Sequence, residues 1–163
     1  MGLTANCGPA GRSRTWSPTS AGEYLFRDFR AHQGRGDGGG IRWAGSLWDG
    51  SDLIFTSRLS FAEARAALAA ARRARRLSEK ELKDGRRFLE GRFQEMDLIE
   101  VTHRIVRSAE DLAEEHGLRG YDAVHLASAL AIGTDGVVLA TWDRELAKAA
   151  RTAGFALAGV SVN

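Results

Sequence analysis

Residues 118–130 read LRGYDAVHLASAL. Gly120 breaks one helix, Tyr121 and Asp122 open the next, and Val124, Leu126, Ala127 and Leu130 then recur at helical spacing. A helix apolar around so much of its circumference buries most of its surface. Asp122 falls in the first turn, where backbone amides and the helix dipole favour an anion. A capping or first-turn carboxylate is the simple account of this residue. Two further carboxylates in similar settings, Glu63 upstream and Asp143 downstream, open a second account.

Outward from this helix, orderly patterning runs from about residue 47 to the end. Residues 52–57, DLIFTS, read as a buried strand bounded by polar residues. Residues 60–76 form an Ala-rich helix, with Ser60 as N-cap and Glu63 as the last member of an S-x-x-E capping box. Residues 78–93 form a second helix, opened by another such box, Ser78-Glu79-Lys80-Glu81. A brief strand at 97–101 leads to a helix at 102–116, stopped by Gly117, and the organising helix covers 121–132. Residues 136–141 are a buried strand, 143–152 a helix ended by Gly154, and 155–160 a closing strand. Strands separated by helices imply a parallel α/β sheet with helices on its faces.

The text before residue 47 differs in kind. Eleven of the chain's 19 glycines lie in the first 50 residues. Residues 1–19 have no period and read as a tail without fixed structure. Residues 23–26, EYLF, are a short candidate strand, and QGRGDGGG at 33–40 lacks the Gly-Lys-Ser/Thr of a P-loop. The expected organisation is a tail over 1–20 and one domain over 21–163, supported mainly from residue 47.

At 163 residues and 44% hydrophobic content the chain can bury a sizeable core. Net charge is only +2, so overall charge selects no partner. Arg72, Arg73, Arg75 and Arg76 crowd one stretch, which suits either a phosphate-binding face or a helix end where cations meet the dipole. Cys7 is the only cysteine, which excludes an intrachain disulfide and a thiolate metal cluster. Neither a run of about 20 apolar residues nor a secretory pattern is present, and a cytoplasmic protein with no membrane partner is expected.

In parallel α/β sheets ligands gather at the carboxyl ends of strands. Asp143 follows the strand ending at Thr141, Glu63 lies early in the helix after the 52–57 strand, and Asp122 opens its own helix. Three carboxylates on one rim would repel and raise one another's pKa. A hard divalent cation, Mg²⁺ or Mn²⁺, resolves that conflict, activates water and stabilises the charge that develops in phosphodiester displacement. Three independent helix caps explain the same residues one by one, and both accounts stay open at this level. His125, three residues after Asp122, suits a packed helix histidine better than a ligand.

The segments TSRLSFAEARAAL at 56–68, LRGYDAVHLASA at 118–129 and LATWDREL at 139–146 resemble, in order and spacing, the PIN-domain family, metal-dependent ribonucleases that include the VapC-type toxins. The resemblance implies a PIN-like α/β/α sandwich with a central parallel sheet and an acidic pocket for one or two Mg²⁺ or Mn²⁺ ions. It implies that Glu63, Asp122 and Asp143 hold metal and take part in catalysis, with Thr141 as a supporting hydroxyl. Arg65, Arg72 and Arg73 would steer the RNA backbone. Single-stranded RNA as substrate, a cognate antitoxin and a homodimer are the implied partners.

One departure stands out. The family pattern opens with a strand ending in Asp, followed by a small hydroxyl residue, Ser, Ala and Leu, and that Asp is the first metal ligand. The nearest carboxylate is Asp28, 35 residues before Glu63, but Phe29 and Arg30 replace the small residues beside it. The first strand is therefore expected to be abnormal, as a frame disruption or mis-set start over the first 45 residues would leave it. Two functions follow: a Mg²⁺-dependent endoribonuclease of a type II toxin–antitoxin pair, or an inactive PIN protein that only binds an antitoxin or itself.

Overall fold

The computed structural model describes residues 51–159 and the backbone of residues 14–16. Five strands form one sheet: β1 (Arg14–Trp16), β2 (Ile54–Ser57), β3 (Asp97–Ile99), β4 (Val137–Thr141) and β5 (Ala156–Gly159). Their order is β3-β2-β1-β4-β5, and every neighbouring pair is parallel. Among the described residues five helices lie between the strands: α1 (Leu59–Arg73), α2 (Glu79–Gln94), α3 (His103–His116), α4 (Gly120–Ile132) and α5 (Arg144–Thr152). Parallel neighbours need crossover connections, and α1 and α2 supply the one from β2 to β3 and α5 the one from β4 to β5. This is the parallel α/β architecture expected from the sequence.

The centre of the sheet differs from expectation. The sequence places the first strand at 23–26, which lies outside the described residues. The strand that is described falls within the expected tail, at Arg14–Trp16. It pairs Thr15 with Ile54 and Val138, and Trp16 with Phe55 and Leu139. Three residues are too short to carry a period. This strand is defined by backbone pairing to two neighbours, which no side-chain pattern reveals.

Two apolar clusters hold the rest. The larger gathers Leu126, Ala129, Val137, Leu139, Leu146 and Phe155 with their neighbours from α3, α4, β4 and α5. The smaller belongs to the α1–α2 hairpin and contains Ala64, Leu68, Ala71, Leu82, Leu89 and Phe93. The two lists share no buried residue. α1 packs on α2, whereas α4 packs on α3, β2 and α5.

The helix ends explain why these segments stop and start. Gly117 closes α3 in the left-handed conformation, φ 64°, where a side chain would be strained. α2 has a complete capping box: the Ser78 hydroxyl accepts from the Glu81 amide, and the Glu81 carboxylate accepts from the Ser78 amide at 2.7 Å. The box expected at Ser60 and Glu63 does not form. The chain leaves β2 at Ser57 and is already helical at Leu59, so Ser60 lies inside the helix and is fully buried. Its hydroxyl bonds that of Thr56 at 2.7 Å, and the Ser57 hydroxyl accepts the Leu59 amide in place of a cap.

Candidate functional site

Seven polar residues are buried in the described structure: Thr56, Ser57, Ser60, Asp122, His125, Ser128 and Thr141. Burying that many polar groups is costly unless they bond one another. They come from the end of β2, the start of α1, α4 and the end of β4. In open parallel sheets such strand ends are where ligand sites form.

Glu63 and His125 bring two of these elements together. His125 Nε2 stands 2.8 Å from Glu63 Oε2 across 62 residues of sequence. An ionised carboxylate only accepts, so Nε2 carries the proton and donates. The imidazole is fully buried, whereas the Glu63 side chain keeps 19% of its exposure. The carboxylate is therefore the half of the pair that faces outward. Packing alone, the expected role of His125, omits this bond. Its spacing of three residues from Asp122 was the only sequence signal.

Asp122 is the third residue of α4 and is 9% exposed. It is the first-turn carboxylate the sequence predicts, held where the helix dipole favours a negative charge. Asp143 is the N-cap of α5, and its Oδ1 accepts from the Leu146 amide at 2.9 Å. Thr141 is fully buried, and its hydroxyl accepts from the Asp143 amide at 3.1 Å. Thr141 thus orients the turn that presents Asp143. Of the two accounts left open, capping describes Asp143, fits Asp122 as a first-turn anion, and fails for Glu63, whose carboxylate turns to another helix.

Hard oxygen donors without sulfur suit Mg²⁺ or Mn²⁺ in kind. Each of the three carboxylates also has a fixed seat on a separate element. They do not form a finished cage: among the described residues no three His, Cys, Asp or Glu side chains are grouped closely enough to hold a metal ion. Asp28 lies outside the described residues.

The predicted arginines follow Glu63 along α1. Arg65 reaches Glu90 at 3.2 Å and Arg72 reaches Glu79 at 3.0 Å, so both tie α1 to α2. Arg72 and Arg73 occupy the last turn of α1, which matches the helix-end account of the basic cluster.

The strand β1 also bears on the missing first motif. Trp16 is followed in sequence by Ser17-Pro18-Thr19-Ser20-Ala21-Gly22. Thr19-Ser20-Ala21 repeats the hydroxyl, Ser, Ala run of the family pattern, with Pro18 where that pattern has its Asp.

A family model described as "PIN domain" matches residues 39–152, a span that contains Glu63, Asp122 and Asp143. The chain belongs to the PIN-domain family and is of the VapC type. It is 48% identical over 119 residues to ribonuclease VapC45 of Mycobacterium tuberculosis (strain CDC 1551 / Oshkosh), covering 73% of this chain and 83% of that protein. The same values hold for ribonuclease VapC49 of Mycobacterium tuberculosis (strain ATCC 25618 / H37Rv). Among solved structures the fold is similar to PAE2754 of Pyrobaculum aerophilum, with a TM-score of 0.59 and 22% identity over 89% of this chain and 90% of that one. It is also similar to VapBC2 of Rickettsia felis bound to a DNA fragment from their promoter. There the TM-score is 0.59 at 14% identity, over 90% of this chain and 98% of that one.

Proposed function

We infer that this chain is a ribonuclease of the VapC type, the toxin of a type II toxin–antitoxin pair, and that it cleaves single-stranded RNA at the rim formed by Glu63, Asp122 and Asp143. The observation that carries this reading is the family match across all three carboxylates, together with their separate, fixed seats on α1, α4 and α5. Asp122 lies in the first turn of α4, the Asp143 carboxylate accepts from the Leu146 amide, and the Glu63 carboxylate bonds His125. A bound Mg²⁺ or Mn²⁺ would neutralise these charges and supply an activated water for hydrolysis of the phosphodiester. Arg65, Arg72 and Arg73 are assigned to the backbone of the RNA, and binding would weaken as salt rises.

An antitoxin that brings a basic side chain to the carboxylates would close the same rim, and the chain would pair with a second copy of itself. The similarity to VapBC2 and to a toxin–antitoxin complex from Klebsiella pneumoniae (TM-score 0.50, 16% identity) supports a fold suited to such a partner.

The test is Mn²⁺-dependent cleavage of single-stranded RNA by the purified chain beside Asp122→Asn. Cleavage that needs both the cation and Asp122 supports the reading, and a folded chain that never cleaves sinks it.

One observation favours the second reading, a PIN protein that binds its antitoxin without cutting RNA. Pro18 precedes Thr19-Ser20-Ala21 in the run after β1, and if that run is the remnant of the first motif the carboxylate there is lost. Pro18→Asp separates the two readings. A gain of cleavage over the unaltered chain would show that the body is competent and lacks one ligand, whereas loss on Asp28→Asn would show that Asp28 fills that role.

A further inference from the structure

The two helices that carry Glu63 and Asp122 belong to different apolar clusters. α1 is built into the α1–α2 hairpin through Ala64, Leu68 and Ala71, and α4 into the larger cluster through Ala123, Leu126, Ala127 and Ala129. Each helix is fixed against its own cluster, and β2, which leads into α1 and packs on α4, brings the two together without orienting the Glu63 side chain. A Glu side chain facing solvent also samples several rotamers, and ordering it costs entropy.

His125 meets both requirements. It lies one helical turn after Asp122, so the same helix fixes both side chains. Its ring is fully buried and therefore locked by packing. From there Nε2 donates across the seam to Glu63 Oε2 at 2.8 Å. The bond uses one carboxylate oxygen of Glu63 and fixes the orientation of the group.

We propose that His125 is the positioning residue of the acidic site, setting Glu63 on α1 at a fixed offset from Asp122 on α4 so that both carboxylates can serve one divalent cation. This rests on the reading of the rim as a cation site. Partners that orient a ligand without touching the ion typically contribute 10- to 100-fold in metal affinity. His125 should fall within about that range.

The experiment is Mn²⁺ titration of the full chain, followed by calorimetry and by the electron paramagnetic resonance of free Mn²⁺, with thermal unfolding to confirm that each variant folds. His125→Gln places an amide nitrogen near the position of Nε2 and should retain affinity within a few-fold of the unaltered chain. His125→Asn is as polar but ends near Nδ1, too short to reach Glu63, and should lose about 10- to 100-fold. Glu63→Gln should lose affinity in the unaltered background and change it little beside His125→Asn, because the carboxylate is no longer held.

Equal losses in His125→Gln and His125→Asn would reduce the residue to packing and overturn the proposal. So would unchanged affinity in His125→Asn while Asp122→Asn abolishes binding. If the unaltered, folded chain binds no Mn²⁺, the cation reading of the rim fails and this inference falls with it.

Discussion

The described residues contain the same four-residue pattern, S-x-x-E, twice, and the two copies end in different roles. Ser78-Glu79-Lys80-Glu81 follows a loop, and its serine stays extended and exposed while serine and glutamate satisfy each other's amides at the start of α2. Ser60-Phe61-Ala62-Glu63 follows a strand with almost no loop between, so the chain is already helical when it reaches the serine. Ser60 is then buried against Thr56, and Glu63 is released to meet His125 on a helix 62 residues away. One copy stabilises a helix end and the other builds a site. The difference lies in the length of the connection and not in the tetrad.

The largest expected difference between the copies is in chemistry. Glu63→Gln should lower RNA cleavage by about 10²-fold or more, the scale of removing one preorganised group that stabilises transition-state charge. Glu81→Gln should leave turnover unchanged. Single-turnover cleavage rates for both variants check this, and equal loss in both would erase the distinction drawn here.

Stability should separate the serines. Ser60→Ala removes one member of a buried hydroxyl pair at 2.7 Å and should cost about 1–3 kcal/mol. Ser78→Ala removes an exposed cap and should cost about 1 kcal/mol, or roughly 2–4 °C in melting temperature for a chain of this size. Urea denaturation of the two variants in parallel would settle the order, and a larger loss for Ser78→Ala would contradict it.

Smaller effects belong to the α1–α2 hairpin that flanks both copies. Arg65→Ala and Arg72→Ala each break an exposed ion pair and should change stability by less than about 1 kcal/mol. If the salt dependence of RNA binding also stays unchanged in both, these arginines are hairpin ties and the substrate path lies elsewhere.

The smallest effect concerns Asp84 on α2. The hydrogen bond from Lys80 holds its carboxyl below the usual aspartate range. A lowered folded-state pKa makes a contribution that is present above the unfolded value and fades as pH falls through the folded one. Asp84→Asn should therefore lower stability slightly at neutral pH and converge on the unaltered chain as pH falls into the acid range, as read by melting temperature against pH. Both side chains face water, so screening keeps the change slight.

Much of this molecule was legible in its residues. Period 3.6 in α1 to α5 and compact apolar runs in β2, β4 and β5 are local properties that any folded context would express, and they define a parallel α/β sheet. Asp122 and Asp143 were also readable, because a carboxylate in a first helical turn answers to the amides of its own helix. Gly117 announced the end of α3 for the same local reason.

Three things were decided by tertiary structure. The central strand at Arg14–Trp16 exists through backbone pairing with β2 and β4, which leaves no pattern in three residues. The role of Ser60 turned on how abruptly β2 gives way to α1. The bond between His125 and Glu63 joins helices from two separate clusters, and no spacing along the chain encodes which buried histidine will meet which carboxylate. Local physics fixes the elements from the residues within a turn or two. The site arises where those elements meet, at distances that only the packed chain determines.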